Sequence, residues 1–165
     1  MEPIITIDSP GVTEGFYNTL TFTVRLSAPA TDAVTVDYQA LPQTAGWEDL
    51  YSTLSGTVTF GIGETVKTIS VRASHESVDE ADEAFVLELR DPINATFGNN
   101  IHSLSTLGWI LDDDGSTANN RAIAVSDPIV NEAANGKVSF IVSLSQPFPS
   151  DQTFTYRTYD VSAEA

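Results

Sequence analysis

Apolar and polar residues alternate strictly over 20–26, with Leu20, Phe22, Val24 and Leu26 on one face and Thr21, Thr23 and Arg25 on the other. A period of two is the mark of a strand with one face in a core and the other in water. The pattern returns in VSFIVSL at 138–144. Shorter versions occur in VTVDY at 34–38, GTVTF at 56–60, TISVRA at 68–73 and AFVLELR at 84–90. No stretch carries a convincing helical period, and WEDLY at 47–51 allows at most a single turn. Gly61-Ile62-Gly63 and Ala28-Pro29 are turn material. Seven strands follow, near 4–14, 19–27, 33–40, 56–60, 65–74, 84–91 and 104–111. Short strands at regular spacing predict an all-β chain, a seven-stranded antiparallel sandwich of immunoglobulin-like form.

The opening pattern also recurs. Displaced by 118 positions, the start of the chain falls on its end without a gap. Ile5 meets Ile123, Pro10 meets Pro128, Val12 meets Val130, Glu14 meets Glu132 and Phe22 meets Phe140. Val24 then meets Val142, Leu26-Ser27 meet Leu144-Ser145, Pro29 meets Pro147, Thr35 meets Thr153 and Tyr38 meets Tyr156. Self-similarity at a fixed offset predicts a repeat architecture. The division expected is a complete repeat over 1–115, a polar linker over 116–121, and over 122–165 the first strands of a second copy. Val138, Phe140, Val142 and Leu144 would then lack a partner sheet, so this tail is expected either to dock on a neighbouring molecule by strand exchange or to be poorly ordered. Met1-Glu2-Pro3 runs straight into the first strand and is read as the start of an excised piece of a longer protein.

Charge changes the picture more than composition does. Apolar residues make up 41% of the 165, enough to bury a core. Twenty-three acidic residues face seven basic ones, a formal charge of −16. Nucleic acid is thereby a poor partner and anionic membrane surfaces are disfavoured, since both need a basic face. No apolar run is long enough to span a bilayer and the opening residues do not read as a signal peptide, so no direct membrane insertion is expected. Without cysteine, neither disulfides nor thiolate metal sites are available, and a bound metal is one alternative staple.

The acids are clustered. Glu14 closes the first strand, and Glu48-Asp49 lie between the third and fourth. Glu76, Asp79, Glu80, Asp82 and Glu83 fill the connection between the fifth and sixth, and Asp112-Asp113-Asp114 follow the seventh. In a sandwich whose successive strands alternate in direction, all four clusters fall at one pole. Carboxylates packed so closely repel one another. Calcium takes six to eight oxygen ligands and suits such a pole, whereas magnesium holds its waters and zinc prefers nitrogen and sulfur. Solvated loop ends are the bland alternative for any single cluster.

VTEG at 12–15, FTVRLSAPATDAVTVDY at 22–38, GTVTFGIGETVKTISV at 56–71, DEADEAFVLEL at 79–89 and ILDDDG at 110–115 together resemble the Calx-beta family. That family is named from sodium–calcium exchangers and is common in large bacterial surface proteins. The resemblance covers residues 4–115 and implies a seven-stranded sandwich with calcium sites at one pole. It assigns the metal-ligand roles to Glu14, Asp49, Glu80, Glu83, Asp112, Asp113 and Asp114, and leaves Glu76 as a further ligand. Leu50 intervenes between Asp49 and Tyr51, a departure from the family pattern. His75-Glu76-Ser77 stands where calcium-rich members carry consecutive aspartates, which implies fewer ions or weaker binding.

No catalytic constellation competes. His75 and His102 are far apart and fall at opposite poles, and no nucleophile-elbow motif occurs, so the chain is not expected to be an enzyme. Trp47 and Trp109 are expected to pack at the sandwich edge or in the core; a sugar-stacking surface is the functional alternative. The function expected is a calcium-binding structural module of an adhesin-like secreted or cell-surface protein, extracellular and of bacterial type. Its partners would be calcium ions and neighbouring repeats of the same chain. A regulatory calcium sensor and a carbohydrate-binding sandwich are the rivals.

Overall fold

The computed structural model describes residues 2–16, 18–98, 101–114, 123–125, 137–144 and 150–158. The chain forms β1 (Ile5–Ile7), β2 (Gly11–Thr13), β3 (Thr19–Leu26), β4 (Val34–Pro42), β5 (Ser55–Phe60), β6 (Val66–Arg72), β7 (Glu83–Ile93) and β8 (Ser103–Leu111). Two short strands follow, β9 (Ile123–Val125) and β10 (Val142–Leu144). Through β8, one sheet has the order β1-β3-β6 and the other β2-β8-β7-β4-β5. The fourth strand of the sandwich, β5, therefore lies at the edge of the larger sheet beside β4.

The alternation read from the sequence is the packing observed. Leu20, Phe22, Val24 and Leu26 of β3 are buried, and meet Val34, Val36, Phe60, Ile69, Val71, Phe85, Leu87, Leu89 and Ile110 in one cluster. Phe22 and Phe85 touch edge to face across the sheets, their centroids 5.8 Å apart. Gly108 is the reason they fit: a Cβ there would stand 2.7 Å from the Phe22 ring and 2.6 Å from that of Phe85.

The first strand departs from expectation. It is not one element over 4–14 but two, divided at Asp8-Ser9-Pro10 and belonging to different sheets. Proline supplies no N–H to a ladder, and where β1 ends the Thr23 N–H donates to the Asp8 carboxylate at 2.7 Å. Ser9 Oγ donates to the Leu107 carbonyl at 2.6 Å, and the Asp8 carbonyl accepts from Thr106 Oγ at 3.1 Å. The crossover thus has side-chain bonds to both sheets. It also makes one pairing parallel: β2 runs alongside β8, with Gly11 opposite Trp109 and Thr13 opposite Leu111. Parallel strands finish at the same end, so the residues following β2 and β8 emerge side by side.

Beyond residue 114, β9 pairs antiparallel with β10 in the register Ile123↔Leu144, Val125↔Val142. The pairing Ile5↔Leu26, Ile7↔Val24 of β1 with β3, moved along by 118 positions, is the same register. The linker assigned to 116–121 and Glu132 lie outside the described residues.

Candidate metal centre

Glu14 follows β2, and its N–H donates to the Leu111 carbonyl at 2.8 Å, extending the parallel ladder one residue past the strand. Asn18 clamps the turn. Its side-chain amide donates to the Thr13 carbonyl at 2.8 Å and the Glu14 carbonyl at 3.0 Å, while its own carbonyl accepts the Ala73 N–H. Gly15 makes the clamp possible: its φ is +151°, and a Cβ would sit 2.6 Å from the Asn18 amide nitrogen. Glu14 is thereby held, almost wholly buried, against the chain leaving β8.

There it meets the aspartate run. One carboxylate oxygen from each of Glu14, Asp113 and Asp114 lies within 4.8 Å of the other two. Asp112 is buried beside them, and its N–H donates to Asp82 Oδ1 at 3.1 Å, tying the loop before β7 to the end of β8. Burial, followed by the charges of Asp112, Glu76, Asp113 and Asp114, pushes the Glu14 carboxyl up to about 7.

A second group of acids adjoins the first. Asp49 is fixed by three contacts of its loop. Its carboxylate accepts the Gly46 N–H at 2.7 Å, its carbonyl accepts the Ser74 N–H at 2.7 Å, and buried Leu50 bridges to Ala73. The Leu50 insertion thus acts as an anchor: it pins the loop to β6 and leaves Asp49 facing Glu83. Burial, then the Asp49 charge and a hydrogen bond shared with Asp49, then Glu80 and Glu48, push the Glu83 carboxyl up to about 7. Glu76 joins the two groups. Its carboxyl is raised by burial and by Glu80, Asp49, Asp114 and Asp112, drawn from both.

All eight acids named from the sequence therefore enter one electrostatic neighbourhood: Glu14, Asp49, Glu76, Glu80, Glu83, Asp112, Asp113 and Asp114. Only Glu14, Asp113 and Asp114 already converge within ligand distance of a common point. Sequence reasoning did not single out Asp82 as a brace or Asn18 as a clamp. Nothing in local pattern distinguishes an aspartate that braces a strand end from one in a loop. Among the described residues, Glu14 Oε2 and Glu76 Oε1 are buried without a hydrogen-bond partner, as is His75 Nδ1, whose ring lies tilted against Phe16 with centroids 4.1 Å apart. A buried oxygen without a donor is costly, and a cation supplies what is missing. With an all-oxygen donor set, the residues fit calcium.

Trp47 and Trp109 are both exposed rather than packed in the core. Trp109 has Gly11 opposite it on β2 and Ala84 opposite it on β7, so no tall side chain flanks the indole across either strand pair.

The sequence profile of the Calx-beta domain family matches residues 4–114. Among solved structures, the chain is similar to the apo form of the Calx CBD1 domain, with a TM-score of 0.55 and 19% identity, over 69% of this chain and all of that one. It is also similar to the CBD12 of CALX1.2, at TM-score 0.56 and 20% identity, spanning 64% of this chain and 42% of that one. The calcium binding domain CBD12 of CALX1.1 gives 0.53 and 18%, over 70% and 53%. No curated protein sequence matches the chain.

Proposed function

Since the chain belongs to the Calx-beta family, we propose that its acidic pole binds calcium and that the bound ion is a structural brace. The observation that carries this reading is the burial of Glu14 against Asp112, Asp113 and Asp114, with Glu14 Oε2 given no donor by the protein. Such a constellation costs stability while empty and returns it when a divalent cation arrives. Glu14, Asp113 and Asp114 would hold a first ion, and Glu83, Asp49 and Glu80 an adjacent one, with Glu76 reaching both. The ligands come from the turn after β2, the loop after β4, the loop before β7 and the end of β8, so the two adjacent ions together would link four segments. The chain leaves β8 through the same aspartates, so binding also stiffens the exit toward residues 115–122.

A brace of this kind suits a repeat module of a large secreted or surface-anchored adhesin-like protein, where calcium is abundant and stiffness is useful. Extracellular modules bind with constants of roughly 10⁻⁴ to 10⁻³ M. His75-Glu76-Ser77 supplies a single acid at a position facing both groups, which favours weak structural sites over a tight regulatory sensor. Exposed Trp109 between Gly11 and Ala84 favours one second reading, a sugar-stacking platform on the outer face of the larger sheet.

Thermal melting in EDTA, millimolar calcium and millimolar magnesium separates these. A calcium-selective rise in melting temperature, lost in Asp113→Ala and Glu83→Ala, supports the brace. No rise at millimolar calcium refutes it and moves the sugar-binding reading forward, to be checked by glycan binding with and without Trp109→Ala.

A further inference from the structure

The pair β9–β10 carries a second message, independent of the acidic pole. Its register is that of β1–β3 moved by 118 positions, residue for residue over all three pairs. Burial is opposite in the two copies. Ile5, Ile7, Val24 and Leu26 are 1%, 5%, 0% and 3% exposed, whereas Ile123, Val125, Val142 and Leu144 are 45%, 58%, 40% and 44% exposed. Phe140, the counterpart of the fully buried Phe22, is 55% exposed. An apolar sheet face this open is not a resting surface for a protein in water; contiguous apolar patches of this kind mark interaction sites.

The first copy shows what such a face takes. β3 is covered along its free edge by β6, which pairs with it from Thr19↔Arg72 to Arg25↔Val66. Across the interior, the β1–β3–β6 face packs on Phe85, Leu87, Leu89, Val36 and Ile110 of the larger sheet. We infer that β9 and β10 open a second sandwich of this fold, and that the β9–β10 face is a docking surface for a β6-type strand and larger sheet of the same repeat type. Charge agrees with a packed role. Residues 116–165 contain five acids and three bases, a net charge of −2, so residues 1–115 hold 18 acids and four bases, a net charge of −14. The segment with the open face carries little of the repulsion that would oppose burying it.

The test builds the occupant from the chain's own sequence. By the same offset, position 166 would correspond to Glu48, so residues 48–114 are appended after Ala165 of the full chain. Hydrogen exchange is then followed at Ile123–Val125 and Val142–Leu144, with β3 as the internal standard of a completed sandwich. The expected result is at least a hundredfold slowing of those amides in the extended chain, and its loss when the extended chain carries Leu144→Asp. An environment-sensitive apolar dye should bind the unextended chain and be released by the extension. Amides that exchange as fast in the extended chain as in the original overturn the inference, and so does an extension that stays unprotected throughout. It is overturned equally if the unextended chain is already a dimer with those amides protected, since the face would then belong to a second copy. None of these readings depends on calcium binding at the first pole.

Discussion

Glu14 shows how a single carboxylate can be a liability and a device together. It is placed by backbone bonds, buried, and surrounded by Asp112, Glu76, Asp113 and Asp114, so its charge opposes folding until a cation is bound. Glu14→Gln should therefore raise the melting temperature in EDTA at pH 8 while reducing the further rise on adding millimolar calcium by half or more. A change that lowers stability equally with and without calcium would show that Glu14 is only a packing residue. Gly108 carries the opposite kind of constraint. Its Cα lies under the rings of Phe22 and Phe85, and Gly108→Ala would force a core side chain off its position. Overpacking of that sort costs about 1–3 kcal/mol, read as a lower urea midpoint with calcium affinity retained. The acids were legible in the sequence because charge clustering and strand direction together place them. Gly108 was not, because a glycine inside an alternating run gives no sign of which rings it must admit.

At the level of elements, the centre depends on a crossover and a clamp. Asp8 and Pro10 split the first strand so that β2 runs parallel to β8, and this pairing brings Glu14 to the aspartate run. Six of the seven strands expected from period two and turn signals agree in their boundaries with β3 to β8 to within two residues; the first does not. The split was not read, although Val12 lies an odd number of positions from Ile5 and Ile7 and so cannot share their face in one regular strand; periodicity also does not report which neighbour a strand pairs with. Asn18 is the matching device on the far side of the turn. Asn18→Ala removes two hydrogen bonds to the Thr13 and Glu14 carbonyls, at about 1–3 kcal/mol for buried acceptors left unsatisfied. The expected signature is a lower melting temperature together with weaker calcium binding, measured by calorimetric titration. Asn18→Asp should lose the same bonds and add a charge, so it is expected to be the worse of the two in EDTA. Equal calcium affinity in Asn18→Ala and the parent chain would show that the turn is held without the clamp.

Across the whole molecule, the raised carboxyls of the acidic pole set a pH dependence unusual for a folded domain, while the exposed Glu64 is lowered by its hydrogen bonds to Lys67 and Gly61. Acid denaturation ordinarily follows from carboxylates whose folded pKa is depressed. Here Glu14 and Glu83 are raised to about 7, and Glu76 and Asp82 are raised as well, in each case chiefly by burial. A carboxyl raised in the folded state binds more protons folded than unfolded, and stability then falls as pH rises. For Glu14 and Glu83 the contribution is fully present below about 4.5, the ordinary glutamate value, and is lost as pH climbs through about 7. In EDTA the melting temperature should therefore decline between pH 5 and pH 8. Calcium binds the deprotonated form, so in saturating calcium the decline should flatten or reverse, and calcium addition at pH 6 should release protons into a weakly buffered solution. With a dissociation constant of roughly 10⁻⁴ to 10⁻³ M, millimolar calcium stabilises the fold by about 0.4–1.4 kcal/mol per ion. A melting temperature that rises from pH 5 to pH 8 in EDTA would mean that the acids are solvated loop ends, and the brace would lose its physical basis. The opposite result would tie two properties of the chain to one cause. The crowding of acids that makes the free domain fragile in mild alkali would also make its rigidity conditional on calcium.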